Sequence, residues 1–369
     1  MTEQHGIASW GTRVLEAFES ARRAHSGALA PSEPALDAAA SWLGRGVPVV
    51  IPTETVYGLA ARARDRAAVK AVFEIKGRPG DNPLIVHVTR EAHLREAGAR
   101  LSPLAAELAR RFWPGPLTLV VPCAAELSWV TAGLDSVAVR HPAHAFAAAL
   151  IDRTGPLAAP SANRSGRPSP TCAGHAARDL DGRVPLVIDA GQLEHGVEST
   201  VLDVRGEAPV LLRAGALPLE ALEAACGRAI QTATAHGPAL APGMKYRHYS
   251  PRAELWLYPA ASAPAALRMQ RDVLRLNAAG RRVAAIARDR LLEVERFIPL
   301  PAEPVELARG LFRWLHELDD DGVDAILVEG VTPTGVGRAV MDRLTRAATR
   351  MRTEDAAAPE LEGQRGSTP

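Results

Sequence analysis

Four stretches of the chain concentrate side chains able to hold anions and small polar groups. The tightest is Lys76-Gly-Arg78-Pro-Gly-Asp-Asn82. Two cations leave a helix through a glycine there, so both can point to one side instead of alternating. A lysine point charge beside an arginine fork, on a loop fixed by Gly and Pro, suits a polyphosphate. Cations closing a helix C-terminus are also ordinary dipole stabilisers. Upstream, Pro52-Thr-Glu-Thr-Val-Tyr-Gly58 directly follows an apolar run, and open α/β sheets bind ligands beyond their strand C-termini. The alternative is a plain helix start with Thr53 as N-cap. Downstream, Pro160-Ser-Ala-Asn163-Arg-Ser-Gly-Arg-Pro-Ser169-Pro-Thr171 places hydroxyl, amide and guanidinium groups at a strand-to-loop switch. Such groups suit phosphate oxygens and a hydrated Mg²⁺, or simply make a Ser/Pro-rich turn. Ser136, Arg140, Ser199, Thr200 and Arg213 each lie beside a short apolar run. An arginine ending a buried strand needs an anion, and a ligand carboxylate or phosphate serves as well as a protein carboxylate. His87, inside a β-branched strand, reads by itself as a core histidine.

Other chemistries lack their residues. The chain has no G-x-x-x-x-G-K-[ST] loop, no H-E-x-x-H and no G-x-S-x-G. Gly335-Val-Gly337-Arg begins like a dinucleotide fingerprint but lacks the third glycine, and reads as a turn into the last helix. Of 43 basic residues only Lys70, Lys76 and Lys245 are lysines. Where Arg has displaced Lys so widely, a surviving Lys hints that a compact charge is wanted. Lys70 fits a helix surface, whereas Lys76 and Lys245 fall in unusual local sequence.

The elements that position these groups follow from apolar periodicity. Pro34–Leu43 predicts a helix, Val47–Ile51 a strand stopped by Pro52, and Asp65 caps a helix carrying Val69, Val72 and Phe73 that ends at Gly77. Strands are predicted at Leu84–Val88, Leu117–Val121, Val137–Arg140, Leu157–Ala159, Leu186–Ile188, Thr200–Val204 and Val210–Leu212, on one large sheet ending near residue 228. A linker over 229–252 turns aromatic and basic at Gly243-Met-Lys-Tyr246-Arg247-His248-Tyr249-Ser-Pro251. A gating segment over the cavity mouth fits this composition, with the tyrosines stacking and the cations meeting phosphates. Strand and helix then alternate over 253–350: Glu254–Tyr258, Ala265–Ala278, Val283–Ala287, Val305–Leu318, Ala325–Glu329 and Ala339–Thr349. This predicts a smaller parallel α/β domain of about 100 residues. Residues 1–34 and 351–369 read as terminal extensions.

Composition removes whole classes of function. The 369 residues carry 43 Lys+Arg against 42 Asp+Glu, a net charge of +1, so any anion site is local and a nucleic-acid-binding module is disfavoured. No apolar run reaches the ~18 residues of a membrane helix, and the N-terminus lacks a signal-peptide pattern; a cytoplasmic protein is expected. Three scattered cysteines, Cys123, Cys172 and Cys226, build neither a disulfide framework nor a zinc knuckle. They also cannot supply a Cys-rich zinc segment.

In this order and spacing the stretches resemble the threonylcarbamoyl-AMP synthases of the YrdC family, in the long form with an extra C-terminal domain. The lysine-x-arginine…serine-x-asparagine signature matches Lys76, Arg78, Ser161 and Asn163. PTETVYG, WPGPLT (Trp113 to Thr118), VAVR-x-P, GVEST and LLRAG follow with family-like spacing, and PGMKYRHYSP (Pro242–Pro251) and G-x-G-x-AVMDRLTRAA (Gly335–Ala348) resemble the long form's C-terminal half. The similarity covers about residues 35–350; Ser136 stands where the family has threonine, keeping a hydroxyl.

The resemblance implies an α/β fold: a twisted mixed sheet with a concave basic cavity, followed by a Rossmann-like parallel domain. It implies a nucleotidyltransferase that makes threonylcarbamoyl-AMP and pyrophosphate from L-threonine, bicarbonate or CO2, and ATP, for threonylcarbamoyladenosine at position 37 of ANN-decoding tRNAs. Lys76, Arg78, Ser161 and Asn163 are the implied catalytic set. Thr53, Thr55, His87, Arg140, Ala159 and Ser199 are expected around L-threonine. Asn82, Ser136, Ser169, Arg213, Tyr246, Arg247 and Tyr249 join Lys76, Arg78 and Ser161 on ATP. Mg²⁺ is expected on the ATP phosphates with no dedicated protein ligand. The product is expected to pass to the tRNA threonylcarbamoyl transferase machinery, with a weak tRNA contact and no membrane.

Overall fold

A computed structural model of the chain describes residues 10–23, 29–124, 127–233, 248–259 and 265–352. The strands of the first domain are β1 (Arg13–Glu16), β2 (Phe18–Arg23), β3 (Leu29–Pro31), β4 (Val49–Ile51), β5 (Gly58–Arg62), β6 (Ile85–His87), β7 (Leu117–Pro122), β8 (Ser136–Arg140), β9 (Leu157–Ala158), β10 (Leu186–Asp189), β11 (Thr200–Asp203), β12 (Val210–Arg213) and β13 (Gln231–Thr232). Apart from the β2–β3 pair they form one 11-stranded sheet, ordered β1-β10-β4-β5-β9-β6-β8-β7-β11-β12-β13. Pairing is mixed: β6 runs parallel to β8, while β9 is antiparallel to both β5 and β6. This brings the ends of β6, β8 and β9 together and sets His87 opposite Arg140.

Local sequence explains the element that delivers the Lys76–Arg78 pair. Asp65 caps the helix Arg66–Lys76 by accepting from the Ala68 amide at 3.0 Å, and Val69, Val72 and Ile75 face the core. Gly77 ends it in the left-handed region, φ 61°, a conformation glycine adopts without a Cβ penalty. Two other departures from expectation concern strands. Thr53 does not start a helix: its hydroxyl donates to the Val56 carbonyl at 2.7 Å and accepts from the amides of Thr55 and Val56. The turn feeds β5, a Gly-Leu-Ala-Ala-Arg strand without a β-branched residue to announce it. Residues 1–34, expected as an extension, contribute β1 as an edge strand parallel to β10; the buried Ala17 follows it.

The second domain is fully parallel: β14 (Glu254–Tyr258), β15 (Val283–Ala287), β16 (Arg296–Pro299), β17 (Ala325–Glu329) and β18 (Arg350–Met351), ordered β16-β15-β17-β14-β18. Helices Ala265–Ala278, Pro304–Asp320 and Gly337–Ala347 cover it, each burying one apolar stripe. The expected tail beyond Arg352 lies outside the described residues. The two domains share a core, because Val197 and Tyr249 pack in the cluster of Leu311, Phe312 and Leu344. Gly196, at φ +72°, makes that contact possible: a Cβ there would lie 2.5 Å from the Ala308 carbonyl oxygen. Among the described residues, no helix is long and apolar enough to cross a membrane.

Candidate active site

One cavity gathers most of the residues singled out in the sequence. Thr53, Thr55, Arg78, His87, Arg140, Ala159, Ser161, Asn163, Ser169, Ser199, Arg213 and Tyr249 all line it. It forms because the strand ends converge and because Gly58 bridges to Ser161, bringing the 52–58 turn against the 160–171 loop. Gly215 completes another wall: a Cβ there would lie 2.3 Å from the Ser199 carbonyl carbon, so only glycine lets the Arg213 segment close on the Glu198–Thr200 segment.

Three expected members stand elsewhere. Lys76 is buried behind the wall, where Nζ donates to the carbonyls of Ser161 and Asn163 at 2.5 Å each. It therefore fixes the 161–163 loop and sends its charge through that loop, rather than lining the cavity. Ser136 starts the strand that Arg140 ends, and by the two-residue period of a strand it shares Arg140's face. At about 3.3 Å per residue it lies roughly 13 Å away. Asn82 precedes the adjacent parallel strand β6, and between these ends and the cavity Ile85, Ala138, Val120, Val201 and Leu212 make a small apolar floor. Both side-chain polar atoms of Asn82 and the hydroxyl of Ser136 are buried without a hydrogen-bond partner among the described residues. Tyr246 and Arg247 lie outside the described residues, while His248 and Tyr249 line the cavity.

The charges are buried and held. Arg78 donates to the carbonyls of Asn82 and Pro83 at 3.1 and 2.9 Å. Arg213 donates to the Ser199 carbonyl at 2.9 Å and to its hydroxyl at 3.2 Å. Ser161 donates to Asn163 Oδ1 at 2.5 Å, and Asn163 donates to the carbonyls of Arg164 and Arg167. Burial, with Arg213 nearby, brings Arg78 down to about 10; burial and Arg78 push Lys76 well below its ordinary value. Burial, then Arg140, lowers His87 to about 3, so its imidazole is neutral. Cations lowered by burial, and further by neighbouring cations, are stabilised by an arriving anion.

Sequence reasoning did not assign the carboxylates their partners. Arg140, for which a protein or a ligand anion was open, pairs with Glu54 at 2.6 Å, and it donates to Thr55 Oγ1 at 2.9 Å. Glu198 lines the cavity, accepts from Ser169 Oγ at 2.6 Å, and pairs with Arg343 of the second domain at 2.9 Å. Arg167, one of the guanidinium groups of the 160–171 stretch, also lines the cavity and is held by Asp319 of the second domain at 2.8 Å. Each of these residues lies beside or inside a motif already noted, but nothing in the linear order pairs them.

A large mixed sheet whose strand ends hold serine, asparagine and arginine around one cavity is the architecture of the Sua5/YciO/YrdC class. Residues 41–215 match that family model, described as telomere recombination, and residues 217–349 match the threonylcarbamoyl-AMP synthase C-terminal domain. The chain belongs to the threonylcarbamoyl-AMP synthase family, in its two-domain form. The threonylcarbamoyl-AMP synthase of Pyrococcus abyssi is 44% identical over 315 residues, covering 84% of this chain and 92% of the relative. That of Bacillus subtilis is 41% identical over 331 residues, covering 87% and 94%. The crystal structure of P. abyssi Sua5 complexed with L-threonine superposes with a TM-score of 0.83 at 42% identity, covering 92% of this chain and 98% of that one.

Proposed function

We propose that the chain synthesises L-threonylcarbamoyladenylate from L-threonine, bicarbonate or CO2, and ATP, releasing pyrophosphate. The observation that carries this reading is the convergence of Arg78, Arg140 and Arg213 with Ser161, Asn163 and Ser199 on one cavity. Arg140, steadied by Glu54, takes the threonine carboxylate, with Thr53, Thr55, His87, Ala159 and Ser199 around the amino acid. Arg78 and Arg213 take phosphates, helped by Ser161, Asn163 and Ser169 and by the Lys76 charge behind the loop. The nucleoside end extends over the apolar floor towards Asn82 and Ser136, whose buried polar atoms have no other described partner. Tyr246, Arg247 and Tyr249 belong to the ATP side.

The reaction is one of positioning. The threonine amine adds to CO2 and loses a proton, giving a carbamate; a carbamate oxygen then bonds the α-phosphorus as the bond to pyrophosphate breaks. No protein nucleophile intervenes, and fixed cations in a cavity shielded from water stabilise the charge passing to pyrophosphate. Mg²⁺ would ride on the ATP phosphates, since the carboxylate on the wall, Glu198, is committed to Arg343 and Ser169; it would neutralise phosphate charge there. The adenylate would pass to the tRNA threonylcarbamoyl transferase machinery for position 37 of ANN-decoding tRNAs, with a weak tRNA contact, in the cytoplasm. Pyrophosphate release from ATP, measured with and without L-threonine and bicarbonate, tests the reading. Release that needs both is expected; release indifferent to threonine would overturn it.

A further inference from the structure

Arg343 sits on the helix Gly337–Ala347 of the second domain, yet two of its partners, Glu198 and Tyr249, line the cavity. It is the largest fully buried side chain among the described residues. Its Nε donates to Glu198 Oε2 at 2.9 Å, and its Nη1 to the neighbouring Asp342 at 2.6 Å. The guanidinium carbon lies 5.1 Å from the centre of the Tyr249 ring, within cation–π range. Tyr249 stacks on Phe312 at 5.4 Å and holds a left-handed backbone, φ 66°. A tyrosine takes that conformation only where its surroundings over-determine it. Glu198 turns its other oxygen to Ser169, and Ser199, next in the chain, meets Arg213. Glu198, Ser169, Ser199, Arg213 and Tyr249 line the cavity; Arg343 does not.

A buried arginine is costly, and apolar packing would join two domains at least as well. The charge has a use because of what it faces. A bare carboxylate on the wall of a cavity that receives a triphosphate would repel it. Neutralised from behind, the same carboxylate becomes a fixed acceptor that aims Ser169. From this geometry we infer that Arg343 is a positioning residue of the nucleotide site, acting through Glu198 on Ser169 and through Tyr249 on the cavity wall. The nucleotide site is then complete only with both domains docked. The inference rests on the synthase reading for what the cavity binds.

The test uses the full chain with Arg343→Ala, Arg343→Lys, Glu198→Gln and the Arg343→Ala/Glu198→Gln pair. The two readouts are threonine-dependent pyrophosphate release and calorimetric binding of a non-hydrolysable ATP analogue. Arg343→Ala is expected to lower kcat/KM for ATP and analogue affinity by about tenfold or more, with KM for threonine nearly unchanged. Arg343→Lys, which keeps the charge but loses the planar stack, falls between. The double variant is expected to bind the analogue better than Arg343→Ala alone, because it removes the uncompensated carboxylate. Circular dichroism checks that each variant is folded, and Arg343→Lys carries the comparison if the alanine variant is not. Lower melting temperatures with unaltered analogue affinity would make Arg343 merely a domain fastener and overturn the inference, as would additive losses in the double variant. A wild-type chain that binds the analogue but releases no threonine-dependent pyrophosphate would defeat the synthase reading while leaving the Arg343 comparison intact.

Discussion

The Arg140 guanidinium and the Glu54 carboxylate approach to 2.6 Å with side chains only 4% and 5% exposed. Burial alone would raise the Glu54 pKa, but Arg140 overrides it and holds the group below its usual value. Glu54→Gln keeps the shape while weakening the hold on Arg140, so KM for threonine should rise about tenfold with KM for ATP little changed. Glu54→Ala strands a buried guanidinium and should cost about 3–5 kcal/mol of stability, read by denaturant unfolding. An unchanged threonine KM in Glu54→Gln would show that Arg140 needs no such support.

Lys76 is buried, with its ammonium held by two backbone carbonyls. Lys76→Met leaves both acceptors unpaired, at about 1–3 kcal/mol each. Lys76→Arg overpacks the same site by about 1–3 kcal/mol. Both variants should therefore lose thermal stability together with activity. A stable and active Lys76→Arg enzyme would place the lysine in a looser role than the hydrogen bonds to Ser161 and Asn163 indicate.

Much of this was legible in the sequence. The second domain's strands Glu254–Tyr258, Val283–Ala287 and Ala325–Glu329 announce themselves as short apolar runs between amphipathic helices, and the Asp65 and Gly77 caps fix the helix that presents Arg78. Of the strands the sequence did not announce, three have plain physical reasons for it. Gly58–Arg62 carries small side chains without the β-branched signal, Arg13–Glu16 is an exposed edge strand in a polar stretch, and Arg296–Pro299 is a short edge of the second sheet. The motifs named the cavity residues, but not which face each side chain would take. Lys76 turned to backbone carbonyls, and the contact of Glu198 with Arg343 spans 145 positions. Such a pairing exists only after two domains have folded and met.

The domain interface should respond to acid. His175 and His316 stack across it with ring centres 4.1 Å apart. Burial, the partner ring and Arg178 with Arg313 lower His175 to about 3; burial with Arg167 and Arg178 lowers His316 to about 4. Both values lie below the ~6.5 of a free histidine, so the unfolded chain takes up protons first as pH falls. The stability contribution is complete above about pH 6.5 and is lost on the way down to about 3–4, at up to about 1.4 kcal/mol per pH unit for each histidine. His316→Phe keeps a ring in the stack and should flatten the dependence of the unfolding midpoint over that range. An unchanged slope would assign the acid sensitivity to other groups.

Ser136 and Asn82 test the far end of the nucleotide. Losing one hydrogen bond of about 0.5–1.5 kcal/mol should raise KM for ATP about two- to tenfold in Ser136→Ala, with KM for threonine constant. Ser136→Thr, which keeps the hydroxyl, should behave like the parent. A threonine KM that moved instead would put Ser136 on the amino-acid side.

The most direct measurement follows labelled bicarbonate into product. The full chain is incubated with ATP, L-threonine and isotopically labelled bicarbonate, and the nucleotides are analysed by mass spectrometry. If one cavity joins a threonine carbamate to the α-phosphate, a threonylcarbamoyl adenylate carrying the label accumulates in step with pyrophosphate. AMP or ADP formed with no label-bearing threonyl adenylate would contradict it.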